Sequence, residues 1–201
     1  MKKIALLLSL LLAITACGVK QTRMALTSGD YDAAIRNSVE KLKANKNAES
    51  KQDYAYILEE AFAKAKERDL RNINAWFKDA NPNNLEKIYN AYLQLSYRQE
   101  LIRPLLPLKL HKEGREAIFP FEDYTDQTVS SKNALSKYLY DNSKALLITK
   151  DKLAIRRAYD DLMYLESINP GYKDVYALMD EAKFKGTDFV LVGTKNETNM
   201  I

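Results

Sequence analysis

The chain has 201 residues, of which 46% are hydrophobic, 10% aromatic and 29% charged, with a net charge of +4. This is a globular composition: it excludes collagen-like, low-complexity and wholly disordered chains, and the length suits one domain or one and a fraction. Removing Lys2 and Lys3 with a leader leaves 29 basic against 27 acidic residues, a balance that gives no electrostatic ground for nucleic-acid binding. One histidine, His111, and one cysteine, Cys17, are present, so neither a Cys/His zinc cluster nor an internal disulfide can be assembled within the chain.

Residues 1–16 read as an export signal. Lys2 and Lys3 form a basic start, and the apolar run from Ile4 to Ala16 is shorter than the roughly 20 residues that a bilayer span takes. The run ends in Ile14-Thr15-Ala16-Cys17, which resembles the bacterial lipobox: an aliphatic residue, two small residues, then the acceptor cysteine. The resemblance implies that the leader is cut before Cys17, that the Cys17 thiol carries a diacylglyceryl group, and that the new amino group is acylated. No other cofactor and no metal are expected. Two or more acyl chains attach a protein stably where one does so only reversibly. Gly18 stands where the retention signal of enteric lipoproteins places Asp, and residues 18–23 lack an acidic cluster resembling the surface-export signal of Bacteroidota lipoproteins. The expected address is the periplasmic face of the outer membrane.

Almost no linker follows Cys17. In Gly29-Asp30-Tyr31-Asp32-Ala33-Ala34-Ile35, glycine accepts the positive φ of a helix stop, Asp30 or Asp32 favours the next N-terminus, and Ala34 lets two helices approach closely. The heptapeptide resembles the turn of a tetratricopeptide repeat. Ser38 and Lys41 depart from that pattern, which places an aromatic and a small residue there, and no proline closes the repeat near Lys46.

Tyr54, Leu58, Ala61, Phe62 and Ala65 share a helical stripe, and Trp76 and Phe77 downstream are expected in the core. Asn81-Pro82-Asn83-Asn84 is a turn with an N-cap; a helix carrying Leu85, Ile88, Tyr89, Tyr92 and Leu95 follows and should end near Arg103-Pro104. Residues 109–133 lose periodicity and read as an ordered loop insertion, with Ile118-Phe119-Pro120-Phe121 tucked against the helices. Helical pattern returns at Leu135, Tyr138 and Leu139, resumes at Ile155, Ala158, Tyr159, Leu162 and Leu165, and restarts with Tyr172, Val175, Tyr176 and Met179. Ile168-Asn169-Pro170-Gly171 separates the last two stripes and resembles a repeat-to-repeat junction of tetratricopeptide proteins, since proline cannot continue a helix and glycine permits the reversal.

The resemblance implies an all-α fold, a tetratricopeptide-like α-solenoid of antiparallel helix pairs over residues 17–186. Residues 187–201 differ: Phe189-Val190-Leu191-Val192 is β-prone, and it either pairs with the Ile118 to Phe121 island or begins a further domain.

Catalytic patterns are not recognisable. His111 has no nucleophile or carboxylate at a known spacing, the acid pairs Glu59-Glu60, Glu122-Asp123 and Asp160-Asp161 point about 100° apart if helical, and the glycines are isolated. Glu49-Ser50 and Glu166-Ser167 carry the Glu-Ser pair of lytic transglycosylases without that family's Gly-Leu-Met-Gln segment. Thirteen tyrosines remain as recognition residues; most fall on apolar stripes, and Tyr54, Tyr89, Tyr92 and Tyr138 are the candidates to line a groove. The chain resembles Bacteroidota lipoproteins. The expected function is a non-catalytic, membrane-anchored scaffold that binds an envelope protein or peptide; the alternative is the targeting or spacer part of a longer cell-wall hydrolase or β-domain lipoprotein.

Overall fold

Helix dominates the chain because its apolar residues recur at helical spacing: a computed structural model, which describes residues 18–193, has 74% helix and 2% strand, an all-α fold. The chain divides into two units, the first ending at Val129 and the second starting at Ser130. The first contains α1 (residues 18–27), α2 (Tyr31–Ala44), α3 (Gln52–Asp79), α4 (Leu85–Ile102) and a two-stranded antiparallel hairpin, β1 (Lys109–Leu110) with β2 (Arg115–Glu116). α5 (Thr125–Leu147) starts in the first unit and continues into the second, which adds α6 (Lys152–Ile168) and α7 (Val175–Gly186).

Gly29, at φ +85°, ends α1, and Asp30 rather than Asp32 caps α2, accepting from the Ala33 N–H at 3.0 Å. Ala34 is fully buried where α2 packs on α3. At 28 residues α3 is about 42 Å long, and its stripe of Tyr54, Leu58, Ala61, Phe62 and Ala65 is buried with Ile35, Val39 and Leu42 of α2. Ala80, at φ +49°, stops α3, and the Asn81 side chain accepts from the Asn83 N–H in the turn that leads to α4. On α4, Ile88, Tyr89 and Leu95 are buried, and the helix ends at Ile102 ahead of Arg103-Pro104. Trp76 is half-buried beside Ile73, Leu95 and Tyr124, whereas Phe77, expected in the core, is 56% exposed, because successive helix positions point about 100° apart.

A buried cation links α2, α3 and α4. Arg98 on α4 is 3% exposed. Its Nε donates to Asp32 Oδ1 at 2.7 Å, its Nη2 to Asp32 Oδ2 at 3.2 Å and its Nη1 to Asp69 Oδ2 at 2.6 Å. Arg68 of α3 donates from Nε to Asp69 at 2.9 Å, lies 3.5 Å from Asp32 and stacks 5.3 Å over the Tyr31 ring. Burial opposes the charge on Asp32, but the Arg98 and Arg68 guanidiniums outweigh it and hold the carboxyl below its usual range.

Residues 109–133 are not one loop. The β1–β2 hairpin opens the stretch, and α5 already begins at Thr125, where the Asp123 side chain accepts from the Thr125 N–H at 2.9 Å and its hydroxyl at 2.6 Å. The serine- and threonine-rich first turns of α5 lack an apolar stripe, which hides the helix from periodicity.

In the second unit, Leu135, Leu139 and Leu147 of α5, Ile155, Ala158, Leu162 and Leu165 of α6, and Val175, Leu178 and Ala182 of α7 are buried. Asp151 caps α6 by accepting from the Leu153 N–H at 2.9 Å. α6 and α7 are antiparallel: Arg156 near the start of one donates to the Gly186 carbonyl at the end of the other, at 2.9 Å. Gly171 adopts φ +72° in the reversal, with its N–H on the Glu166 carboxylate at 2.9 Å. The inward stripe of α7 is Val175, Leu178 and Ala182 instead of the expected Tyr172, Val175, Tyr176 and Met179. Tyr176 turns outward to donate to Glu166, and Tyr172 packs edge-on against Tyr140, with ring centroids 5.8 Å apart. No residue of 187–193 lies in a strand, and Phe189 to Val192 are exposed, so among the described residues the expected tail strand is absent and these side chains lie outside the core.

Removing one member of a buried charge network costs about 3–5 kcal/mol, so Arg98→Ala should lower the urea midpoint steeply, whereas the apolar triple Arg98→Met, Asp32→Leu, Asp69→Leu should recover most of the loss. Asp32 binds its proton more weakly folded than unfolded. Its contribution is therefore complete above the unfolded value of 3.8 and is lost as pH falls through the lower folded value; Asp32→Asn should flatten that acid limb of the stability curve.

Candidate functional site

A cleft of about 490 Å³ in the first unit is lined by Ser96, Gln99 and Glu100 of α4, by Arg103 just beyond its end and by residues 121–125. Its second wall is an extended segment, residues 117–124, laid against α3 and α4. The helices hold this segment largely through its backbone. Glu59 Oε1 accepts from the Ile118 N–H at 2.6 Å, and Lys66 Nζ donates to the Pro120 carbonyl at 2.7 Å. Gln99, 4% exposed, forms a reciprocal pair with one residue: Nε2 donates to the Glu122 carbonyl and Oε1 accepts from the Glu122 N–H, both at 2.9 Å. Phe119 and Phe121 supply the apolar half of the grip, each edge-on to Phe62 with centroids 5.6 Å away.

Charges around the segment are paired. Arg115 grips Glu59 with two nitrogens, at 2.6 and 2.9 Å, and holds that carboxyl below the usual range. The Lys66 ammonium, 2.7 Å from Glu122 Oε1, and the Tyr124 hydroxyl, donating to Oε2 at 3.0 Å, do the same for Glu122. Burial and the neighbouring Glu122 push the Tyr124 phenol well above its usual range. Hydrogen bonds from Thr125 keep Asp123 low. Glu59, Glu122 and Asp123 are thus stabilised as anions by their partners. Among the described residues no group of three or more His, Cys, Asp or Glu is placed to hold a metal, and no helix is long and apolar enough to cross a membrane.

Of the four tyrosines singled out in sequence, Tyr54, Tyr89 and Tyr92 belong to the first unit and Tyr138 to the second. Tyr54 is 3% exposed in the α2–α3 core, Tyr89 is buried on α4, and Tyr92 is half-buried against Tyr124, with centroids 6.0 Å apart. Tyr138 is half-buried on α5 in the second unit. Their stripe positions make them packing residues first. Cys17 and the lipobox residues Ile14, Thr15 and Ala16 lie outside the described residues. His111 is exposed in the β1–β2 hairpin, where its backbone N–H donates to Gln52 Oε1 at 2.9 Å. Sequence reasoning missed Lys66 and Gln99, which read as solvent-facing polar positions; the aromatic island at 119–121 was the available signal.

Gln99→Leu keeps the volume and removes both hydrogen bonds to the Glu122 backbone, each worth about 0.5–1.5 kcal/mol. Hydrogen exchange should show the Glu122 amide losing protection selectively, with α2 and α6 unaffected. Comparison of the chain with known protein families, with curated proteins and with solved structures found no match.

Proposed function

We propose that the chain is a lipid-anchored envelope lipoprotein whose helical body is a non-catalytic scaffold for extended peptide or protein segments. The observation that carries the binding half is the grip on residues 118–122, where Glu59, Lys66 and Gln99 address the backbone while Phe62 takes the aromatic side chains. Backbone-directed hydrogen bonds are indifferent to side-chain identity, and flanking apolar contacts add the selectivity; recognition of extended peptides generally divides its labour this way. The cleft beside the gripped segment is open space next to that chemistry.

A tetratricopeptide-like α-solenoid of antiparallel helix pairs is the finer fold reading. Its support is that the chain reverses at the two places where the sequence resembles repeat turns, Gly29 between α1 and α2 and Gly171 between α6 and α7, both at positive φ, and that α2 packs on α3 and α6 on α7. The anchoring half rests on the leader and Ile14-Thr15-Ala16-Cys17. Diacylglyceryl and N-acyl chains at Cys17 would hold the body at the periplasmic face of the outer membrane and raise the local concentration of an envelope partner. Neither a further cofactor nor nucleic acid has a place in this reading. A spacer or targeting role within a longer cell-wall hydrolase or β-domain lipoprotein is the competing function.

Two measurements separate these readings. In bacterial cells fed labelled palmitate, Cys17→Ser should abolish incorporation and accumulate the uncleaved precursor; undiminished labelling would remove the anchor. A photo-crosslinking residue in place of Glu100, on the cleft wall, should yield discrete protein adducts in the envelope. A spacer would give none there.

A further inference from the structure

One end of the second unit carries an apolar surface that the scaffold reading leaves unused. Three strands of contact bring its parts together. Lys185 of α7 donates to the Leu147 carbonyl at the end of α5 at 3.2 Å, which sets the last turn of α7 beside the α5–α6 connection. Lys152 at the start of α6 donates to the Thr187 carbonyl at 3.2 Å, and Arg156 donates to Asp188 at 2.6 Å, which ties the tail to the same place. Phe189 then stacks on Phe184, with ring centroids 6.0 Å apart. The side chains next to these links are Ile148, Leu153, Phe184 and residues 189–192, all exposed; Ile148 is at 85% and Leu191 at 98%. Exposed apolar side chains gathered at one end of a unit are the kind of surface that interactions use.

The chemistry of the patch selects its occupant. The chain stretches that carry these apolar residues hold five cations, Lys150, Lys152, Arg156, Lys183 and Lys185, and four anions, Asp151, Asp160, Glu181 and Asp188, with Asp160 sharing a cleft with Arg156 and Lys183. Three of the anions are engaged: Asp188 by Lys152 and Arg156, Glu181 by Lys185, and Asp151 in capping α6. Val190, Leu191 and Val192 are consecutive and all exposed, so an extended chain here offers apolar side chains on both of its faces. A pairing protein strand would use its edge and cover one face. Immersion in the boundary between headgroups and acyl chains covers both, while basic residues at the rim meet anionic headgroups.

We propose that this end of the second unit is a membrane-contact site, in which Ile148, Leu153, Phe184 and residues 189–192 enter the interface of an anionic bilayer and the surrounding lysines meet its phosphates. The site is independent of lipid at Cys17, and its test uses a chain without that residue. The chain from Gly18 onward, which contains every described helix, is floated with phosphatidylcholine vesicles and with vesicles that also contain phosphatidylglycerol. It should float with both and about tenfold more strongly with the anionic ones, with the difference shrinking as salt rises. Phe189→Ser and Leu191→Ser together should weaken flotation by at least tenfold, and deletion of residues 189–201 should do so while leaving the circular dichroism spectrum and Tm unchanged, because those side chains are outside the core. Absence of flotation, or flotation indifferent to these changes, overturns the proposal. So does a chain that sediments as a dimer abolished by Leu191→Ser without binding vesicles, which would make the patch a contact between copies. Loss of palmitate labelling at Cys17 bears on the anchor alone, so the two membrane attachments fail separately.

Discussion

The first unit is organised around a charge that has nowhere to go. Arg98 lies on the inner side of α4, out of water, and its guanidinium is compatible with that place only because α2 supplies Asp32 and α3 supplies Asp69. Three helices must therefore arrive together and in one register. The apolar contacts of Ala34, Leu58 and Phe62 provide the larger share of the burial energy, but they tolerate sliding by a turn; a fork of hydrogen bonds at 2.6 to 3.2 Å does not. The network also reassigns a residue of the opening turn. Asp30 caps α2, and Asp32, two residues along on the same helix end, becomes the partner of a cation on α4.

Once α3 and α4 are fixed in register, their exposed side can hold extended chain. Lys66 and Gln99 sit on different helices, and they reach the Pro120 carbonyl and both backbone groups of Glu122 only if those helices keep their spacing. The segment 117–124 is thus an element without regular structure whose backbone groups are satisfied by side chains instead of by a ladder. The proposed binding of extended peptide rests on this hold, in which the chain's own residues take the extended form.

What could be read from the sequence follows from which interactions leave a period. The stripes of α3, α4 and α6 were legible because a buried helix face repeats every three or four residues, and the stops at Gly29, Asn81-Pro82 and Asn169-Pro170-Gly171 were legible because backbone requirements are local. The start of α5 was not, since Thr125 to Asn133 offers no apolar stripe and its signal is a single Asp123 cap. The short β1–β2 hairpin leaves too few residues for alternation to show. On α7 the aromatic residues misled: Tyr176 looks like core by type but turns its hydroxyl outward to Glu166. The candidate site was half legible, through Phe119 and Phe121. Gln99 and Lys66 were invisible because their role depends on a segment more than twenty residues away along the chain in one case and more than fifty in the other.

The same distinction separates the two proposed membrane attachments. The resemblance to a lipobox is a linear signal, complete in Ile14 to Cys17 and readable with no fold at all. The apolar end of the second unit is the opposite kind: Ile148, Leu153, Phe184 and Phe189 come from the α5–α6 connection, two helices and the tail, four stretches separated along the sequence. Only the antiparallel packing of α6 and α7, fixed by Arg156 on the Gly186 carbonyl, brings the first turn of one and the last turn of the other to a common edge. Gly186 allows that approach, since a side chain there would meet Arg156 Cγ at 3.2 Å. A glycine that reads locally as a helix breaker is therefore also the point at which α7 comes close enough to α6 for the tail to share its charges, and this is what assembles scattered apolar residues into one surface.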